Sequence, residues 1–273
     1  MRALITNDDG IGSEGIRQLA LTAVGLGLDV VVAAPLTDAS GSSASLLAVQ
    51  EDSRIVVERR TIAGLDGVPT YGVAAAPGFI SLLAVRGAFG PPPDLVLSGI
   101  NRGLNTGHAI LHSGTVGAAL TASTLGCRGV AVSLESGWPE EDDVLHWETA
   151  GHVAARVIPW VMEGGDTVVL NVNAPNVEVA ELKGLCRARL ASFGAVQTNV
   201  AESGEGWVRI SVADVDAQYE PGTDAALVAD GYATVTPLRP ICEAGDVDLP
   251  IHAGGATPLG GVGAPRRGEG SVL

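Results

Sequence analysis

Short runs of Val, Leu, Ile and Ala recur through the first 175 residues, separated by stretches whose apolar residues fall at helical spacing. Runs that are apolar at nearly every position have no solvent face, which is the pattern of strands covered on both sides by helices. Leu4 to Thr6 form the first strand. Ile16, Leu19, Ala20, Ala23 and Val24 follow at helical spacing, with Ser13 as N-cap and Gly25 to Gly27 closing the helix. Asp29 to Ala34 make a second strand, stopped by Pro35. Phe79, Leu82, Leu83 and Val85 line one face of a further helix, which ends before Pro91-Pro92-Pro93 and the strand Asp94 to Ser98. Thr115 to Leu125 (helix), Gly129 to Ser133 (strand), His146 to Met162 (helix) and Thr167 to Asn173 (strand) complete the series. Pro159 should kink or shorten the third of these. Strands spaced by helices require right-handed crossovers, so the expected fold class is α/β with a mostly parallel sheet and flanking helices.

Beyond Pro175 the texture changes. Trp207 to Val212 alternate like a half-exposed strand and Thr234 to Leu238 resemble another, so a smaller C-terminal extension containing a β-hairpin is expected. A hairpin that cannot bury both faces in one subunit calls for a partner copy, and an oligomer is expected. From Gly254 onward Gly and Pro dominate around Arg266-Arg267, which predicts a disordered tail.

A chain of 273 residues buries roughly three quarters of its unfolded surface, enough for one large domain with an appendage. Only 4% of residues are aromatic against 46% hydrophobic, with 37 glycines, so the core is built from small branched side chains and tight turns. A net charge of -15 repels nucleic acid and anionic membranes, and no Lys/Arg run offsets it. DNA or RNA duplexes and membranes are therefore excluded as partners, while a metal-neutralised pocket for one small phosphate is not. Cys127, Cys186 and Cys242 lie far apart without CxxC spacing, so buried free thiols are expected rather than a disulfide framework or a thiolate zinc site. No basic leader or spanning apolar run is present, which points to the cytoplasm.

The first strand runs directly into Asn7-Asp8-Asp9-Gly10. This puts two carboxylates at the carboxyl end of a buried strand, where open α/β sheets bind ligands, and Gly10 supplies the turn that lets neighbouring side chains converge. Two carboxylates brought together want a cation. Three more loops share that topological position: Pro35 to Ser45 with Ser40-Gly41-Ser42-Ser43, Ser98-Gly99-Ile100-Asn101-Arg102-Gly103 followed by Asn105, and His112-Ser113-Gly114-Thr115, which opens a helix and can meet an anion with its amides and dipole.

Taken in order, Thr6 to Gly10, Ala34-Pro35 to Ser40-Gly41, Ser98 to Asn101 with Gly103 and Asn105, Ser113-Gly114-Thr115-Val116, Leu170 to Asn173, Thr223-Asp224 and Thr236-Pro237-Leu238 resemble the SurE family of 5'/3'-nucleotidases, over about residues 1 to 240. The resemblance implies that Asp8, Asp9, Ser40 and Asn101 hold one divalent metal ion per subunit. It also implies that Gly41, Ser113, Gly114 and Thr115, with Asn105, bind the substrate. It implies a Rossmann-like catalytic core over 1–175, an extension over 176–253 that carries an oligomerisation hairpin and returns to the core, a tail over 254–273, and a homodimer or homotetramer. The expected substrate is a nucleoside 5'-monophosphate, extending to 3'-nucleotides and short polyphosphate. One segment departs: where the family commonly carries Gly-Thr-Pro-Ala-Asp-Cys, this chain has Ala75-Ala76-Pro77-Gly78-Phe79-Ile80, which loses a hydroxyl and a carboxylate.

Two carboxylates, a hydroxyl and an amide oxygen suit Mg²⁺ or Mn²⁺ rather than zinc or copper. Phosphate-monoester hydrolysis requires the barrier to fall by more than about 20 kcal/mol, so cation, helix terminus and positioning must share the work. Water attack is favoured over direct attack by Asp8 or Asp9, because a ligated carboxylate is a poor nucleophile. Asn7 is expected to orient the aspartates, His112 to form a pocket wall or serve as general acid, and Trp147 and Trp160 to anchor the core. His108 and His112 have the spacing of a zinc pair but no HExxH accompanies them. A receiver-type Mg²⁺-binding signalling module would need a lysine after the fifth strand, and the only lysine is Lys183. The serious alternative is the same chemistry on a specialised non-nucleotide phosphate ester.

Overall fold

In the computed structural model, residues 1–52, 54–136, 144–164, 168–192, 196–204, 206–214, 219–244 and 246 are described. The expected tail from Gly254, and Thr167 at the start of one expected strand, lie outside them. The chain divides into Met1–Pro240 and Ile241–Leu273. The described residues of the second unit form neither helix nor strand.

The first unit is built on one nine-stranded sheet. In chain order its early elements are β1 (Arg2–Thr6), α1 (Glu14–Gly25), β2 (Asp29–Pro35), the two-residue strands β3 (Gln50–Glu51) and β4 (Arg54–Ile55), β5 (Val57–Arg59), β6 (Thr70–Val73) and α2 (Pro77–Val85). Then come β7 (Leu95–Arg102), α3 (Gly114–Thr124), β8 (Arg128–Leu134), α4 (Trp147–Glu163) and β9 (Val169–Ala174). The last are β10 (Leu185–Arg187), β11 (Val196–Gly204), β12 (Trp207–Asp214), α5 (Asp224–Ala229) and β13 (Ala233–Leu238). The sheet order is β10-β13-β9-β8-β7-β1-β2-β6-β5. From β9 to β6 all neighbours run parallel, whereas β5 and β13 pair antiparallel with β6 and β9.

Side-chain alternation explains why the strands are apolar throughout. Ala3 and Ile5 of β1, Val30, Val32 and Ala34 of β2, and Leu95 and Leu97 of β7 point into one core layer, which α1 and α4 cover. Leu4, Val31, Ala33 and Val96 point into the other, beneath α2 and α3. Ser13 caps α1 as expected, its side chain accepting the Ile16 N–H.

Several expectations change. In α2 the buried positions are Pro77, Gly78, Ile80, Ser81 and Ala84, rather than the face of Phe79, Leu82, Leu83 and Val85. That helix is apolar on every side, so periodicity carries no sign of which side turns inward. Pro159 does not shorten α4, which continues to Glu163. Trp147 packs against the core, but Trp160 is 54% exposed and is no core anchor. Of the cysteines only Cys127 is buried, while Cys186 is intermediate and Cys242 exposed. The strand at Thr234 to Leu238 is not half-exposed: β13 inserts between β9 and β10 and is buried along most of its length. β11 and β12 form a separate antiparallel hairpin. No helix among the described residues is long and apolar enough to cross a membrane.

Candidate active site

β2 lies on one side of β1 and β7 on the other. The carboxyl ends of β1 and β7 therefore flank the point where the winding reverses, which opens a crevice. Asp8 and Asp9 follow β1 after the single residue Asn7, and Asn101 lies near the end of β7. One extra residue between Ser98 and Asn101 shifts the β7/β8 register there. Such an irregularity turns a side chain out of its alternation.

Asp8 is 3% exposed and is gripped by the start of α3. The Thr115 N–H donates to Asp8 Oδ2 at 3.1 Å, and the Thr115 hydroxyl donates to Asp8 Oδ1. That hydroxyl also lies 3.2 Å from Asn101 Oδ1. A threonine has one hydroxyl proton, so it serves one of the two oxygens at a time. The Asn101 amide nitrogen donates to Gly103 O at 2.7 Å, which fixes the carbonyl end of the amide toward the carboxylates. Asp9 Oδ2 and Asn7 Oδ1 are buried without a hydrogen-bond partner.

The arrangement is rich in acceptors and poor in donors. Burial pushes the Asp9 carboxyl up to about 7, the neighbouring Asp8 charge adds to the rise, and a hydrogen bond from the Arg102 backbone opposes it. Asp8 is likewise raised by burial, against its bonds from Thr115. Asp38 raises both carboxyls through its own charge. Sequence reading passed over this third acid, whose signal was the Asp-x-Ser turn: the Ser40 N–H and hydroxyl both donate to Asp38 Oδ1, at 2.7 and 2.6 Å. Ser40 is therefore turned onto Asp38, on a loop fastened beside the carboxylates by the Ala39 N–H donating to Asp8 O at 2.8 Å. Gly41 is exposed and adopts φ +74°, a conformation that favours glycine. Asn7 donates to Ser13 Oγ at 2.7 Å and to Gly10 O at 3.2 Å, so it orients the turn and the α1 cap, not the aspartates.

At the start of α3, Ser113 Oγ accepts from the Val116 N–H at 3.1 Å and Ser113 O accepts from Gly117 N at 2.9 Å. With Thr115 bound to Asp8, the Gly114 N–H remains, among the described residues, for an incoming oxygen. No side chain fits at Gly114: a Cβ there would lie 2.6 Å from Ser42 Oγ and 2.8 Å from Asp8 Oδ2. Thus Gly114 and Thr115 bring the helix terminus against Asp8, and Thr115 acts on the carboxylate itself.

Asn105 sits in a different network. Its N–H donates to Asn173 Oδ1, its carbonyl accepts from Asn171 and Asn173, and its side chain donates to Ser133 Oγ, each at 2.9 Å. The Asn171-Val172-Asn173 motif of β9 thus holds the loop after β7. Below it, Asp224 accepts from the Gly107, Ala191 and Ala225 N–H groups, each at 2.9 Å. His112 is exposed, and its carbonyl accepts from Ser43 N at 3.2 Å. Of the departing segment, Ala75 and Ala76 line a cavity of 680 Å³ beside Ser40 to Ser42, while Ile80 is core.

Among the described residues no three His, Cys, Asp or Glu side chains gather in metal-binding fashion. A cation here would depend on the amide and hydroxyl oxygens as well as the carboxylates. The orphaned Asp9 oxygen, the oriented Asn101 carbonyl and the raised carboxyls fit a hard divalent cation.

A family model described as "Survival protein SurE" matches residues 3–195. A protein of a Chelativorans species named 5'-nucleotidase SurE is 34% identical over 93% of this chain and 96% of its own length. Another of that name from a Methylobacterium species is 36% identical over 88% and 93%. The crystal structure of the SurE protein from Aquifex aeolicus superposes with a TM-score of 0.69 at 31% identity, covering 87% of this chain and 93% of that one. With most of its length matched and its crevice built from the same ordered blocks that suggested the resemblance, the chain belongs to the SurE family.

Proposed function

We propose that this protein is a divalent-cation-dependent phosphomonoesterase that hydrolyses nucleoside 5'-monophosphates to nucleoside and phosphate. The observation that carries the reading is the surplus of oxygen acceptors around Asp8, Asp9 and Asn101, set against the amino end of an eleven-residue helix. Relatives of similar length named 5'-nucleotidase SurE support the substrate class.

Asp8, Asp9 and Asn101, with Ser40 from the adjoining loop, would hold Mg²⁺ or Mn²⁺. Such a cation supplies charge neutralisation, polarisation of the phosphoryl group and a lowered water pKa. Thr115 aims Asp8 by donating twice to it, and those bonds favour its ionised form against the burial that raises the carboxyl. The Gly114 N–H and the α3 dipole, with the exposed Gly41 backbone and Ser113, stabilise the equatorial oxygens as charge spreads over them. Asn105, through Asn171 and Asn173, holds the loop that forms the opposite side of the crevice. In this reading water is the nucleophile, and Asp8 and Asp9 position it. We assign contact between copies to the β11–β12 hairpin, as a dimer or tetramer, and place the enzyme in the cytoplasm.

The test is phosphate release from 5'-AMP, 3'-AMP and short polyphosphate with Mg²⁺, Mn²⁺ or chelator, beside Asp8→Asn. Cation-dependent release from 5'-AMP that the variant loses is the expected result; release that survives chelation and the substitution overturns the reading.

A further inference from the structure

The 680 Å³ cavity beside the carboxylates lies within the size range of small-molecule sites. At one end it shares the Ser40-Gly41-Ser42 loop with the crevice, and Ser42 Oγ stands against Gly114 at the start of α3. An ester whose phosphate sits at Gly114 therefore has this cavity beside it.

The far walls have a different chemistry. Leu47, Val49, Val73, Ala74, Ala75 and Ala76 carry no polar side-chain atom. Their backbone groups are largely spent on one another or on neighbouring strands. Val49 N donates to Ala74 O at 2.9 Å, Ala76 N to Leu47 O at 2.8 Å, Ala74 N to Val56 O at 3.0 Å, and Leu36 N to Val73 O at 3.0 Å. The N–H groups of Val49, Ala74 and Ala76 are spent in these bonds, so this part of the wall donates nothing from them to the edge of a base or to a sugar oxygen. It does offer apolar area: Leu47 is 71% and Val49 72% exposed. Covering them with a flat ring removes that surface from water.

Building on the phosphatase reading, we infer that this cavity receives the leaving group of the ester and selects flat or apolar leaving groups by area. The substrate class widens accordingly. Purine and pyrimidine nucleotides and simple arylalkyl phosphates are all accepted, and small polar sugar phosphates are poor.

The experiment compares kcat/KM for 2-phenylethyl phosphate, 5'-AMP, 5'-UMP and ribose 5-phosphate, with Mg²⁺ or Mn²⁺. All four release a primary alkoxide, so intrinsic reactivity is similar and the ratios report the pocket. The expected result is at least a tenfold advantage of 2-phenylethyl phosphate and AMP over ribose 5-phosphate, with AMP and UMP within about tenfold of each other. Leu47→Ala shortens an exposed wall residue, and Ala75→Asp puts a charge into the wall. Both lower the ratio of 2-phenylethyl phosphate to ribose 5-phosphate, by about threefold and tenfold. Equal rates on both esters, or ratios unmoved by both variants, overturn the inference and leave the phosphatase reading standing. No release from any of the four overturns that reading and the inference with it.

Discussion

Two carboxyl groups in this protein, both drawn at least partly out of water, face the same physical problem and solve it differently. Asp224 is fully buried, and both its oxygens are met by three backbone N–H groups from three segments. Asp9, half-buried beside the buried Asp8, keeps one buried oxygen with no partner. Burial raises both carboxyls, but at Asp224 three backbone bonds oppose the rise, whereas at Asp9 a second carboxylate reinforces it. A buried charge that the fold satisfies completely is a fastening, which here ties the Gly107–His112 turn to α5. A pair that the fold leaves unsatisfied is a place for something else to bind.

The sharpest test of that contrast is Asp8→Asn, which keeps shape and one acceptor but removes the charge. We expect phosphate release to fall about 1000-fold, on the order of 4 kcal/mol, with the circular dichroism spectrum unchanged. Asp224→Ala should do the reverse. It strands the Gly107 and Ala191 N–H groups, so urea unfolding should show a loss of at least about 3 kcal/mol, independent of added Mg²⁺. If Asp224→Ala abolished activity at unchanged stability, the distinction would collapse. Thr115→Val keeps the N–H that reaches Asp8 and removes the hydroxyl; release should fall about tenfold, and Thr115→Ser should restore it, since a hydroxyl bond to a charged group contributes about 1.5 kcal/mol or more.

The smallest effect is in pH dependence. In the folded protein Asp9 titrates near 7, far above the ordinary 3.8. Between those values the folded state holds a proton that the unfolded chain has released, so without a cation this group's contribution to stability declines as pH rises through that window. A divalent cation competes with that proton and favours the ionised pair. The gain in Tm on adding Mg²⁺ should therefore be a few degrees larger at pH 8 than at pH 5.5, as read by scanning calorimetry. An equal gain at both values would remove Asp9 from the cation site.

Much of the fold was legible because it rests on local rules. The α1 cap at Ser13, the strand that delivers Asp8 and Asp9, and the α3 start at Gly114 each follow from a few neighbouring residues. β6, between β2 and α2, was passed over: it is four residues long, and its glycine breaks the apolar run. α2 is apolar on every face, so its sequence does not mark which face turns inward. The pattern of β13 is that of a half-exposed strand, yet it inserts beside β9, since its neighbour is set by chain return rather than by its own pattern. At the site, the motif residues were legible and their duties were not. Thr115 serves Asp8 from 107 positions away in the chain, which no local pattern records, while Asn7 serves the turn and Asp38 holds Ser40 through local bonds, each one choice among several nearby partners.

The sequence by itself determined the alternation of strand and helix, the acidic pair at the end of the first strand and the glycines that turn the loops there, since these depend on side-chain periodicity and backbone freedom close along the chain. Only the tertiary structure decided that Thr115 meets both Asp8 and Asn101, that Asp9 is left with an unpaired oxygen, and that Ala74 to Ala76 pair with Leu47 and Val49 in the wall of a cavity. Those outcomes follow from strand order, and strand order comes from burying both faces of the whole sheet at once, a condition that no single segment of the chain records.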